Sequence, residues 1–83
     1  MKRKDLFKII SSALEVDSID QNSSMENIEE WDSLGHLSIL SAIDESLNGK
    51  VSDLSELASA TSINKIINVL EENNLIEKWD LKQ

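Results

Sequence analysis

Asp32, Ser33 and His36 bring together, within one short stretch, the three side-chain types of a hydrolase triad: a carboxylate, a hydroxyl and an imidazole. On a helix, Ser33 and His36 are neighbours at i and i+3. Acyl-transfer chemistry would also need a preorganised oxyanion hole and a substrate cleft. An 83-residue chain with no sign of either is read as non-catalytic. His36 is then expected to be an exposed helix residue, within reach of a phosphate or a partner. A second group, Asp20, Asn22 and Ser24, mimics the opening of a calcium loop. Met25 stands where that loop needs glycine and Trp31 where it needs a bidentate glutamate, so no metal site is expected. The chain has no cysteine, which excludes a disulfide, a thiolate zinc site and a thiol nucleophile of its own. Any sulfur chemistry would have to arrive on a cofactor.

The Ser33 hydroxyl has another use. Asp32-Ser33-Leu34 ends a long polar stretch and opens an apolar-periodic one, which puts Asp32 at an N-cap and Ser33 first in a helix. A helix N-terminus carries partial positive charge and unpaired N–H groups, and favours a phosphate diester. Ser33 alone among the serines combines a preceding aspartate with the head of a long amphipathic segment. Taken in isolation, Asp-Ser is also simply a common way to begin a helix.

Four periodic segments must position these residues. From Lys2 to about Val16, Leu6, Phe7, Ile10, Ala13 and Leu14 recur at spacings of three and four with Ile9 beside them, which predicts a first helix with one buried stripe. Between Asp17 and Asp32 the pattern dissolves into polar residues with isolated Ile19, Met25 and Ile28. A connection of that length is expected to be functional or to hold a short helical turn, with Trp31 and the isolated apolar residues pinning it to the core. From Ser33 to Leu47, the set Leu34, Leu37, Leu40, Ile43 and Leu47, with Ile39 beside it, predicts a second helix ended by Asn48-Gly49. Asp53 and Glu56 have the spacing of a capping box, and Leu54, Leu57 and Ala58 can bury one face of a short third helix. Thr61 or Ser62 can cap a fourth, in which Ile63, Ile66, Ile67 and Leu70 are buried and Val69 flanks them, before Asn73-Asn74 ends it. With no proline and two glycines, the fold class is all-α, as a single domain over residues 1–83.

Sixteen acids against eight bases give a net charge of -8, which repels phosphate backbones and anionic lipid heads, so neither nucleic acid nor a membrane is an expected partner. The charge is also one-sided. Between Ile9 and Gly49 there is no Lys or Arg, while Glu15, Asp17, Asp20, Glu26, Glu29, Glu30, Asp32, Asp44 and Glu45 all fall there. A partner with a basic patch is implied. Met1-Lys2-Arg3-Lys4 has the charge of a signal n-region, but Lys8 and Ser11-Ser12 cut the apolar stretch that follows, so a cytoplasmic location is expected.

The ordered set is a helix, a long acidic loop, Trp31-Asp32-Ser33-Leu34 at the head of a second helix, a short third helix and a fourth. It resembles the acyl carrier proteins and the related peptidyl and aminoacyl carrier domains over nearly the whole chain. The resemblance implies an acyl-carrier-like four-helix bundle with a long loop between helices one and two and a short third helix. It implies that a phosphopantetheinyl transferase esterifies Ser33 with the 4′-phosphopantetheine arm of coenzyme A, with Asp32 and Leu34 completing the attachment site. Leu37 matches an apolar position at the start of helix two, and Asp44-Glu45 match an acidic pair that faces basic patches on partner enzymes; with His36 these form the expected partner-binding set. The implied function is carriage of acyl or aminoacyl groups as thioesters, by a monomer, between the loading and transferring enzymes of a biosynthetic pathway. In fatty-acid carriers acidic residues usually follow Asp-Ser-Leu, whereas here Gly35-His36 follow and Ser38 occupies a place often held by Glu. Trp-Asp-Ser-Leu-Gly-His-Leu is similar to stand-alone carriers of specialised pathways, such as polysaccharide decoration or secondary metabolism, rather than core fatty-acid synthesis. Read without the resemblance, the same residues also fit a small acidic helical adaptor that binds a basic partner and carries no prosthetic group.

Overall fold

Three-four periodicity becomes a helix at the start of the chain. The computed structural model describes residues 2–51 and 54–76, and in it α1 (Arg3–Leu14) buries Leu6, Ile10 and Leu14 as one stripe, with Phe7, Ile9 and Ala13 packed beside them. The helix stops short of Val16 because Glu15 turns into the left-handed region at φ 59°. The Val16 N–H donates to the Ser11 carbonyl (3.0 Å) and the Glu15 N–H to that of Ser12 (3.2 Å), the bond pair of a Schellman motif. Asn48 (φ 58°) and Asn74 (φ 59°) end the other two α-helices in the same way, with Gly49 N–H donating to Asp44 O (2.9 Å) and Leu75 N–H to Leu70 O (2.8 Å).

The long connection satisfies its own polar groups. Asp20 Oδ1 accepts from the Asn22 N–H (2.8 Å), Asn27 Oδ1 accepts from the Ser24 N–H (3.0 Å), and Asn27 Nδ2 donates to the Asn22 carbonyl (2.9 Å). Its middle is stitched to the head of the last helix: Met25 N–H donates to Thr61 O (2.9 Å) and Ile63 N–H to Ser23 O (3.0 Å), forming an isolated antiparallel bridge. Ile19 is buried, Met25 and Ile28 lean on the core, and Trp31 is 1% exposed. The tryptophan expected to pin the loop to the core is one of the largest side chains fully inside.

The second helix, α2 (Ser33–Ser46), buries a different face from the one its leucines suggest. His36, Ile39 and Ile43 point inward, Leu40 and Leu47 are half-buried, and Leu34 and Leu37 stand 75% and 61% exposed. Apolar residues occupy two faces of this helix, so their spacing alone did not say which face packs on α1. The expected short third α-helix is replaced by a 3-10 helix at Ser55–Ser59. Its bonds, Leu57 N–H to Leu54 O (3.0 Å) and Ala60 N–H to Leu57 O (3.1 Å), span three residues, because a segment of five residues closes too few α-helical rings to repay nucleation. Asp53, half of the expected capping pair, lies outside the described residues. The last helix, α3 (Ile63–Glu72), is capped by Ser62, whose Oγ accepts from Lys65 N–H (3.2 Å), and buries Ile63, Ile66, Ile67 and Leu70 as expected. Arg3 and Glu71 tie the start of α1 to the end of α3 (2.7 Å). The described residues thus form a small all-helical fold of three α-helices and one 3-10 helix, without a strand.

Candidate functional site at the head of α2

Asp32 ends the loop in an extended conformation, and its Oδ1 accepts from the Gly35 N–H (2.8 Å), satisfying one of the free donors of the first turn. Ser33 is therefore the first residue of α2, and it is exposed. Gly35 follows because the helix start is pressed against its surroundings: a Cβ there would lie 2.3 Å from the Glu30 carbonyl oxygen and 2.9 Å from Leu14. Only a residue without a side chain lets α2 begin this close to the loop and α1, and that close approach fixes where Ser33 is displayed.

The structure corrects the expectation for His36, which is 6% exposed rather than open to a phosphate or partner. The Trp31 indole N–H donates to His36 Nδ1 (3.0 Å), and His36 Nε2 lies 2.9 Å from the Leu57 carbonyl oxygen. The indole can only donate, so Nδ1 accepts and Nε2 carries the proton offered to Leu57. The two rings lie nearly parallel, 16° apart, with centroids 6.1 Å apart. This buried relay ties the loop, α2 and the 3-10 helix together. Both ring nitrogens are engaged in it, and Asp32 is turned to its own helix, so the three residue types of a triad are not arranged as one.

Ser33 opens onto a hollow of about 340 Å³ whose walls include Met25, His36, Leu37 and Ala58. Leu37, Leu40 and Ala58 continue into a larger groove of about 560 Å³ between α2 and the 3-10 helix, which ends at Asp44, Val51 and Leu54. On the other side of Leu37, the exposed Leu34 and Glu45 meet Ala13 of α1 across a shallow depression. The expected acidic pair is thereby divided: Glu45 is exposed beside the leucines, whereas Asp44 is half-buried in the groove wall. The sequence reading missed the Trp31–His36–Leu57 relay and the role of Gly35. A lone histidine five residues after a tryptophan was the available signal for the relay, but its partner on the 3-10 helix is a backbone carbonyl, which no residue type announces.

Fold and site together define a small all-helical domain that displays a serine at the head of its second helix, beside two exposed leucines and an apolar groove. No helix among the described residues is long and apolar enough to cross a membrane. No family model, curated protein or solved structure matches the chain.

Proposed function

We propose that the chain is a carrier protein, primed on Ser33 with 4′-phosphopantetheine by a phosphopantetheinyl transferase, that passes acyl or aminoacyl groups between enzymes of a specialised biosynthetic pathway. On this reading the three α-helices, with the 3-10 helix standing in for a short third one, are a variant of the carrier-type bundle. The observation that carries the proposal is the exposed Ser33 at the first position of α2, capped by Asp32 and flanked by exposed Leu34. The residues present suit the group: an accessible hydroxyl, a helix N-terminus favouring a phosphate diester, and an apolar groove that starts at the serine. When bound, the arm supplies the thiol that a chain without cysteine lacks.

The protein's own residues do the rest. Asp32 and Gly35 hold the serine at the rim, and Leu34 and Leu37 offer an apolar contact of a kind that soluble proteins leave open for partners. Glu45, beside them, complements a basic patch on the transferase or on a loading enzyme. The domain itself performs no catalysis in this reading. Mass spectrometry after coexpression with a broad-specificity phosphopantetheinyl transferase tests it: the chain gains the mass of one phosphopantetheinyl group, and Ser33→Ala gains none. An unmodified wild-type chain, or modification persisting in Ser33→Ala, overturns the proposal, and the unmodified result favours the acidic adaptor instead.

A further inference from the structure

His36 puts a titratable ring where an apolar side chain would fill the space. It is 6% exposed, and its two ring nitrogens have opposite parts: Nδ1 accepts from the Trp31 indole N–H (3.0 Å), and Nε2 faces the Leu57 carbonyl oxygen (2.9 Å). Only the neutral imidazole can fill both parts. A proton added at Nδ1 makes it a second donor, aimed at an indole that can only donate. The Trp31–His36 bond and the imidazolium therefore exclude each other. The added charge also finds no counter-charge in place. His36 stands at the end of the first turn of α2, whose partial positive charge opposes it, and no charged side chain among the described residues pairs with the ring. Glu15 after α1, Glu29, Glu30 and Asp32 of the loop, Glu56 of the 3-10 helix and Lys65 of α3 are exposed, and Asp44 lies further along α2 in the groove wall.

The same bond encloses Ser33. Trp31 ends the loop immediately before Asp32 and His36 follows Gly35, so the two side chains close a ring over residues 32–35. Two backbone donors close it from within: the Gly35 N–H donates to Asp32 Oδ1 (2.8 Å) and the His36 N–H to the Asp32 carbonyl (2.8 Å). Trp31 and His36 are both buried, out of reach of an enzyme docked on the surface, so they act on Ser33 through the backbone they hold. A proton does have a route, because His36 and Ser33 line the same hollow of about 340 Å³. We propose that the Trp31–His36 pair is a proton-operated latch, with His36 as a positioning residue for Ser33: neutral, it holds the head of α2 to the loop and the 3-10 helix; protonated, it lets go of Trp31 and frees the head. The latched form takes no proton on His36 and the released form takes one. By linkage, acid drives release, across the interval from about pH 8 to 5 in which imidazoles titrate. The conformational step stands on the geometry alone, whereas its effect on priming rests on Ser33 bearing the arm.

Two measurements test the two parts. In nitrogen and proton NMR of the unprimed chain from about pH 8 to 5, the His36 ring nitrogens, the Trp31 indole proton and the Ser33 and Gly35 backbone amides are expected to shift in one titration, the indole proton moving upfield as its acceptor is lost. A His36 that takes up its proton with the indole and amides unmoved, or that stays neutral until the chain unfolds, overturns the latch. Priming is then timed over the same pH range against His36→Asn, whose side-chain oxygen offers Trp31 an acceptor near the place of Nδ1 and cannot titrate. The ratio of the two rates cancels the transferase's own pH dependence. It is expected to fall about tenfold toward pH 5, the weight of one hydrogen bond in a rate. Trp31→Phe, which keeps a ring and removes the donor, should be primed slowly relative to His36→Asn at every pH. A rate ratio flat through the titration seen by NMR overturns the positioning role. A chain primed at no pH overturns the carrier reading instead, and the NMR titration still decides the latch.

Discussion

Replacing Gly35 by alanine would put a methyl group 2.3 Å from the Glu30 carbonyl oxygen, a backbone atom that cannot move alone. The loop or the helix head must shift, and the expected cost is about 1–3 kcal/mol, read as a lower urea midpoint. His36 tests a different physical term. Converting it to leucine leaves the Trp31 indole N–H and the Leu57 carbonyl without the partners they have now, so the expected loss is about 2 kcal/mol or more. The relay is visible directly by nitrogen NMR, which should show Nδ1 bare and Nε2 protonated; the reverse tautomer would contradict the geometry. Asp32 separates capping from recognition. Asparagine caps as well as aspartate, so Asp32→Asn should fold like the wild type. If the carboxylate charge is read by the transferase, priming of that variant slows while its melting temperature holds.

Among the elements, α1 carries the clearest stored cost. Glu15 sits at φ 59°, where glycine is at ease and a side chain is not. Glu15→Gly is expected to stabilise the protein by about 0.5–1 kcal/mol, measured by denaturant unfolding, with no change in the Schellman bonds. Asn48 and Asn74 already hold the residue type best suited, after glycine, to this conformation, so the same exchange there should gain less. In α2 the two exposed leucines make the opposite case. Leu37→Gln removes little buried area, and an effect on stability within about 0.5 kcal/mol is expected; on the proposed carrier reading it comes with a clear loss of priming rate. A wild-type priming rate in that variant would remove Leu37 from the docking face.

At the scale of the whole molecule the governing quantity is charge. Nine acids and no Lys or Arg lie between Ile9 and Gly49, and the described Arg3–Glu71 ion pair lies outside that stretch. Folding brings these carboxylates closer than they are in the open chain, so raising salt to about 0.5 M should screen their repulsion and raise the melting temperature. A melting temperature flat in salt would show that the acidic stretch is not under net strain, and would weaken the case that it waits for a basic partner.

Much of this was legible in the residues themselves. The buried stripes of α1 and α3, the Asp32 cap, a cap at Thr61 or Ser62 that the structure assigns to Ser62, the Asn48 and Asn74 stops and the place of Ser33 at a helix head are all local, set by spacing within one or two turns. Four features needed the packed molecule. Leu34 and Leu37 are exposed while His36 is buried, because a helix with apolar residues on two faces is oriented by its neighbours and not by its own period. Trp31 and His36 became partners of each other and of Leu57, a contact closed across twenty-one residues by backbone. The segment at Ser55–Ser59 is too short to repay α-helical nucleation, and its place in the fold is set by packing on α2 and α3, which its own spacing does not announce. Asp44 and Glu45, adjacent in sequence and equal in charge, were assigned to a groove wall and to open surface because neighbours on a helix point about 100° apart, and only the position of the 3-10 helix decides which direction is inside.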